Sequence, residues 1–185
     1  MKLMRQLDHI TGNDNIHGLF LQHLSALERS GHQKLLRFKH QWNVKDEEFL
    51  NHLADEARHA AHLKKLAHSI TKKNEIVGIQ TKNYLTKLEV FILRDLRRHE
   101  IVHPKACYVL LTYVIETRAS RLYPSYEEFL SQKGGELSVS SIIEDETEHL
   151  EFMKEEIASM NIPTAIVSSA ASFEEKLFLN FMSQF

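Results

Sequence analysis

Residues 53–59 read Leu53-Ala54-Asp55-Glu56-Ala57-Arg58-His59, and residues 143–149 read Ile143-Glu144-Asp145-Glu146-Thr147-Glu148-His149. Both contain Asp-Glu-x-x-His, and each copy sits in the middle of a segment with helical periodicity. A three-residue step turns about 300° around an α-helix, so the Glu and His of each copy share one face, one turn apart. In both segments that face is the apolar stripe. The first runs Phe49, Leu53, Glu56, Ala60, Leu63, Ala67; the second runs Ile142, Glu146, His149, Met153, Ile157. Carboxylates and imidazoles on an interior stripe are costly unless something neutralises them. A metal is the simplest answer.

Outward from these motifs the chain reads as helix throughout. Phe20, Leu24, Leu27, Gly31, Leu35 and Phe38 recur at steps of three or four between Ile16 and about Trp42, ahead of the helix at about Lys45 to Ile70. The joint around Asn43 and Val44 is short, which makes these two helices antiparallel neighbours. A polar break at Thr71–Glu75 leads to a further helical pattern with Tyr84, Leu88, Phe91, Ile92, Asp95 and Leu96, ending near His103-Pro104. Pro104 suits the first turn of a helix from about Lys105 to Ser131, which Pro124 is expected to bend or divide. Lys133-Gly134-Gly135 stops it, and the last long helix spans about Ser138 to Met160. Residues 1–15 read as a polar N-terminal segment whose Thr11–Asn15 stretch suits a helix cap. Residues 161–185 read as a loop and a short amphipathic helix (Phe173, Leu177, Phe178, Phe181) packed on the bundle or on a partner chain. Strand signals are nearly absent. The expected fold is all-α: an up-down four-helix bundle of the ferritin-like kind over residues 16–160, with a long crossover and extra short helices.

The other two long helices each add an acid to the inward stripe. Glu28 lies 28 residues before Glu56, and Glu116 lies 30 before Glu146. An antiparallel hairpin with arms of similar length brings Glu28 level with Glu56, and Glu116 level with Glu146. The candidate set is then Glu28, Glu56, His59, Glu116, Glu146 and His149. Four carboxylates balance two divalent ions, and neutral imidazoles add no charge. Oxygen and nitrogen donors suit iron, manganese or a mixed pair, and the absence of thiolates counts against a structural zinc site. On two-fold reasoning Glu56 and Glu146 bridge the ions, while Glu28 and Glu116 bind one each.

Glu28, Glu56-x-x-His59, Glu116 and Glu146-x-x-His149 resemble the ligand set of the ferritin-like di-iron carboxylate proteins, including rubrerythrins and di-iron oxygenases. The resemblance covers roughly Ile16 to Met160. Asp55-Glu56-Ala57-Arg58-His59 is also similar to the DExRH pattern of bacterial multicomponent monooxygenases. Ile115-Glu116-Thr117-Arg118-Ala119-Ser120-Arg121 is similar to a helix of a tRNA-modifying di-iron hydroxylase family. The resemblance implies that Asp55 accepts the free ring N–H of His149, and Asp145 that of His59, fixing each tautomer. Arg58 and Arg118 then pair with these acids or with Glu148, or form exposed salt bridges. Tyr113, one turn before Glu116, either lines the oxidant pocket or is a plain core aromatic. His32 is expected to be exposed or to support the ligands from behind. His52 and His62 are expected to be exposed.

Composition narrows the partners. The 185 residues carry 23 basic and 25 acidic side chains, a net charge of −2, so no global field attracts nucleic acid or anionic lipid. A basic face from Lys64, Lys65, Lys72, Lys73, Arg94, Arg97 and Arg98 reads as an ordinary solvated surface. The single cysteine, Cys107, excludes an internal disulfide framework and reads as packing. Neither a signal-peptide run nor a membrane span is expected, and the cytoplasm is the expected compartment. The expected activity is a di-iron oxidoreductase that activates O2 or peroxide, with an external electron donor and an unidentified small-molecule substrate. The alternatives are an iron-binding or ferroxidase protein and a tRNA-modifying hydroxylase; a homodimer is compatible with either. A metal-free helical interaction module is the remaining option.

Overall fold

The structure, a computed structural model, describes residues 2–42, 47–72, 77, 79–132, 134 and 137–185. Among these residues there are seven helices and no strand: α1 (Lys2–Thr11), α2 (Asp14–Trp42), α3 (Glu47–Thr71), α4 (Ile79–Arg98), α5 (Pro104–Gln132), α6 (Ser140–Ser159) and α7 (Thr164–Met182). The joint at Asn43 and Val44 lies outside the described residues, as do Lys73, Lys133 and Gly135. None of the helices is long and apolar enough to cross a membrane. The chain divides into two compact units: Met1–Lys82 with Tyr123–Ile142 and Phe185, and Asn83–Leu122 with Ile143–Gln184.

In the first unit, the opening that reads as polar is a helix. Leu7 and Ile10 are fully inside, at 0% and 1% exposure, while Asp8 and His9 face out. Two or three apolar residues suffice for a ten-residue helix that has a neighbour to lie on. The side-chain Oδ1 of Asn13 accepts from the backbone N–H groups of Asn15 (3.0 Å) and Ile16 (3.2 Å), capping the start of α2. Helices α2 and α3 run antiparallel, as a short joint requires. Gly18 meets Thr71, Ser25 Oγ donates to the Ala60 carbonyl at 2.7 Å, and the His32 ring bonds the Leu53 carbonyl at 2.8 Å. From α5, Tyr126 packs edge-to-face on Phe20 and bonds His17. Glu127 accepts from Ser138 Oγ (2.8 Å) and the Val139 N–H (2.6 Å), so α5 holds the approach to α6.

The second unit has its own apolar core, which includes Leu88 and Ile92 of α4, Leu110 and Val114 of α5, and Ile166 and Ala170 of α7. Cys107 is packed into it, as the sequence suggests. Helix α5 begins at Pro104, as expected, and Lys105 in its first turn pairs with Glu156 of α6. Pro124 does not divide α5, which is continuous through it. Its ring is on an exposed face, where solvent can serve the Ser120 carbonyl that the missing N–H leaves open. The larger departure is α7. Far from a short terminal piece, it is a 19-residue helix with Ile166, Ala170, Glu174, Phe178, Phe181 and Met182 buried. A glutamate in the middle of that stripe interrupts the apolar pattern, which is why only its second half stands out in the sequence.

Candidate metal centre

In the first unit, α2 and α3 bring Glu28, Glu56 and His59 to the interior. Glu56 is 6% exposed and His59 1%, and the side chain of Glu28 is 11% exposed. His59 Nδ1 lies 3.9 Å from Glu28 Oε2. The register therefore sets Glu28 against His59, one turn along from the Glu56 that equal arm lengths suggest. Opposite Glu56 stands Gly31. A Cβ there would lie 2.4 Å from Glu56 Oε2 and 2.9 Å from its Cδ, so the carboxylate occupies room that any larger residue would fill.

Two further side chains join this group. The Tyr123 hydroxyl, from α5, donates to Glu28 Oε1. His52, one turn before Glu56, is 1% exposed, with Nε2 at 3.3 Å from Glu56 Oε1. This corrects the expectation that His52 is exposed. It shares the Glu56–His59 stripe at a step of four, a signal present in the sequence. His62 is half-buried and donates from Nε2 to the Ser138 carbonyl at 2.7 Å, so it too is held in place. His32 is half-buried rather than free in solvent.

In the second unit, α5 supplies Glu116, at 1% exposure, and α6 supplies Glu146 and His149, at 3% and 6%. All three are interior, as their stripes predict. Glu28, His52, His59, Glu116, Glu146 and His149 are among the residues with ligand atoms able to hold a metal ion.

Asp55 is half-buried and takes Arg58 Nη2 at 2.6 Å, an ordinary pair one turn apart on α3. Asp145 is half-buried. Tyr113 is half-buried against the apolar core of its unit. Within its unit, Arg118 takes its partners from α7. It forks onto Glu174, with Nη2 to Oε2 at 2.8 Å and Nε to Oε1 at 3.1 Å, reaches Glu175, and lies 4.1 Å over the Phe178 ring. All those partners are on α7. Burial opposes the Arg118 charge, but the bonds and charges of Glu174 and Glu175 outweigh it and raise its pKa. Lys64, Lys65, Lys72, Arg94, Arg97 and Arg98 are exposed.

Compared with protein-family models, curated sequences and solved structures, the chain has no significant match. The donor set must therefore be judged on its own chemistry. Carboxylates and imidazoles with no thiolate suit iron or manganese. The cradle that Gly31 leaves for the Glu56 carboxylate suits a ligand that needs backbone clearance. The residues are of a kind that can hold metal.

Proposed function

We propose that the protein is a non-haem di-metal carboxylate oxidoreductase that uses O2 or peroxide, with Glu28, Glu56, His59, Glu116, Glu146 and His149 as ligands of two iron ions. The observation that carries the reading is burial: five of these six side chains are at most 6% exposed, although each is charged or strongly polar. Interior carboxylates without compensation would destabilise the fold by several kcal/mol each, and two divalent cations neutralise four of them. When bound, such an ion pair supplies electrons to the oxidant.

The chain's own residues do the rest. Tyr123 donates to Glu28 Oε1 and so orients that carboxylate, leaving Oε2 toward His59. Gly31 gives Glu56 clearance. Leu24, Leu53, Leu63, Ile142 and Met153, all buried, keep water from the interior.

Anaerobic loading with ferrous iron tests this. Two irons per chain are expected, with a melting temperature that rises as free metal rises, since ligand at a hundred times its Kd adds about 2.7 kcal/mol. Glu56→Ala and His149→Ala should each abolish both effects. O2 uptake in proportion to bound iron should follow on exposure to air. Negligible metal in protein produced with ample iron would refute the proposal, and release of the oxidised iron without organic turnover would move it to iron handling.

A further inference from the structure

We infer that His52 is itself a metal ligand, a third imidazole donor in addition to the proposed ligands His59 and His149; this rests on the proposed function above. His52, Glu56 and His59 fall at steps of four and three along α3, so one helix stripe carries all three. The stripe is interior: His52 and His59 are each 1% exposed, and Glu56 is 6%. His52 Nε2 and Glu56 Oε1, 3.3 Å apart, converge on the same small region.

The internal repeat sharpens the point. Aligned on Asp-Glu-x-x-His, position 52 of the first copy corresponds to position 142 of the second. That position holds Ile142, at 0% exposure. A branched aliphatic side chain therefore satisfies the packing where the motif has no further duty. An imidazole at the equivalent place forfeits apolar transfer energy and must be given polar partners in a dry interior. Ligation offsets that cost, since a neutral imidazole is a good donor to iron, manganese or cobalt. Ligation through Nε2 uses the tautomer with its proton on Nδ1, whereas the bond to Glu56 Oε1 uses the one with its proton on Nε2.

Cobalt(II) loading of the full chain, read by proton NMR, tests this without reference to turnover. Each ligating histidine gives one strongly shifted ring N–H resonance that vanishes in D2O. The wild-type protein should show one each for His52, His59 and His149. His52→Ile, copying the second repeat, and His52→Gln, retaining a hydrogen-bond donor, should each lose one resonance and bind cobalt on the order of ten-fold or more weakly. Resonances unchanged in either folded variant would overturn the inference and leave His52 as a hydrogen-bond partner of Glu56, with the proposed function intact. A wild-type protein that takes up no cobalt would overturn both.

Discussion

Gly31 shows how one residue can separate folding from function. Alanine there should favour α2 by about 1 kcal/mol through helix propensity. It must also displace the Glu56 carboxylate, whose Oε2 would lie 2.4 Å from the new Cβ. Gly31→Ala is therefore expected to leave the metal-free protein as stable or slightly more so while weakening metal binding; calorimetric titration beside thermal melts checks both halves. Glu174 is a second case. It is 3% exposed and bonded to Arg118 and Tyr84. Arg118→Ala leaves that carboxylate buried without its cation, and should cost about 3–5 kcal/mol. Tyr84→Phe removes a single donor and should cost about 1–3 kcal/mol. Denaturant titration should rank them in that order. The inward placement of the six candidates was legible because charge on an apolar stripe is a contradiction visible in one helix. The Arg118 partners were not, because they lie more than fifty residues away on a helix whose apolar stripe is interrupted by Glu174 itself.

At the scale of the element, periodicity found α2, α3, α5 and α6 to within a few residues, since long stripes repeat often enough to be recognised. It failed for α1 and the first half of α7, where the stripe is short or broken by a glutamate. Local capping was legible at Thr11–Asn15, and Asn13 is the residue that performs it; Asn13→Ala should lower stability by about 1 kcal/mol, measured by urea unfolding. Pro124 poses the opposite question. An interior proline costs a helix up to ~3 kcal/mol relative to alanine, and α5 is continuous through it on an exposed face. Pro124→Ala should therefore raise the melting temperature. A fall instead would mean that packing around Tyr123 and Tyr126 depends on a bend that proline imposes.

The molecule as a whole should weaken in alkali for an identifiable reason. Burial, reinforced by the Glu174 charge and hydrogen bond, raises the Tyr84 pKa well above its ordinary value of 10.0. Burial, helped by Glu127, raises that of Tyr126 as well. A folded pKa above the unfolded one means the unfolded chain gives up its phenolic protons first. The stabilisation is whole below about pH 10 and is lost as pH climbs from there through the folded values. Near-ultraviolet titration of the five tyrosines should show Tyr84 and Tyr126 ionising only as the protein unfolds. Ionisation of all five in one step in native protein would contradict this.

What the sequence determined by itself was periodic and local: an all-helical chain, an antiparallel α2–α3 pair, and six acids and histidines on inward faces. These follow from spacing along one helix and from the length of a joint, and need no knowledge of distant residues. The tertiary structure alone decided which residues meet: Glu28 with His59 and Tyr123, Glu56 with Gly31, Arg118 with Glu174. Those pairings depend on register between helices, and a helix stripe says which way a side chain faces without saying what stands opposite.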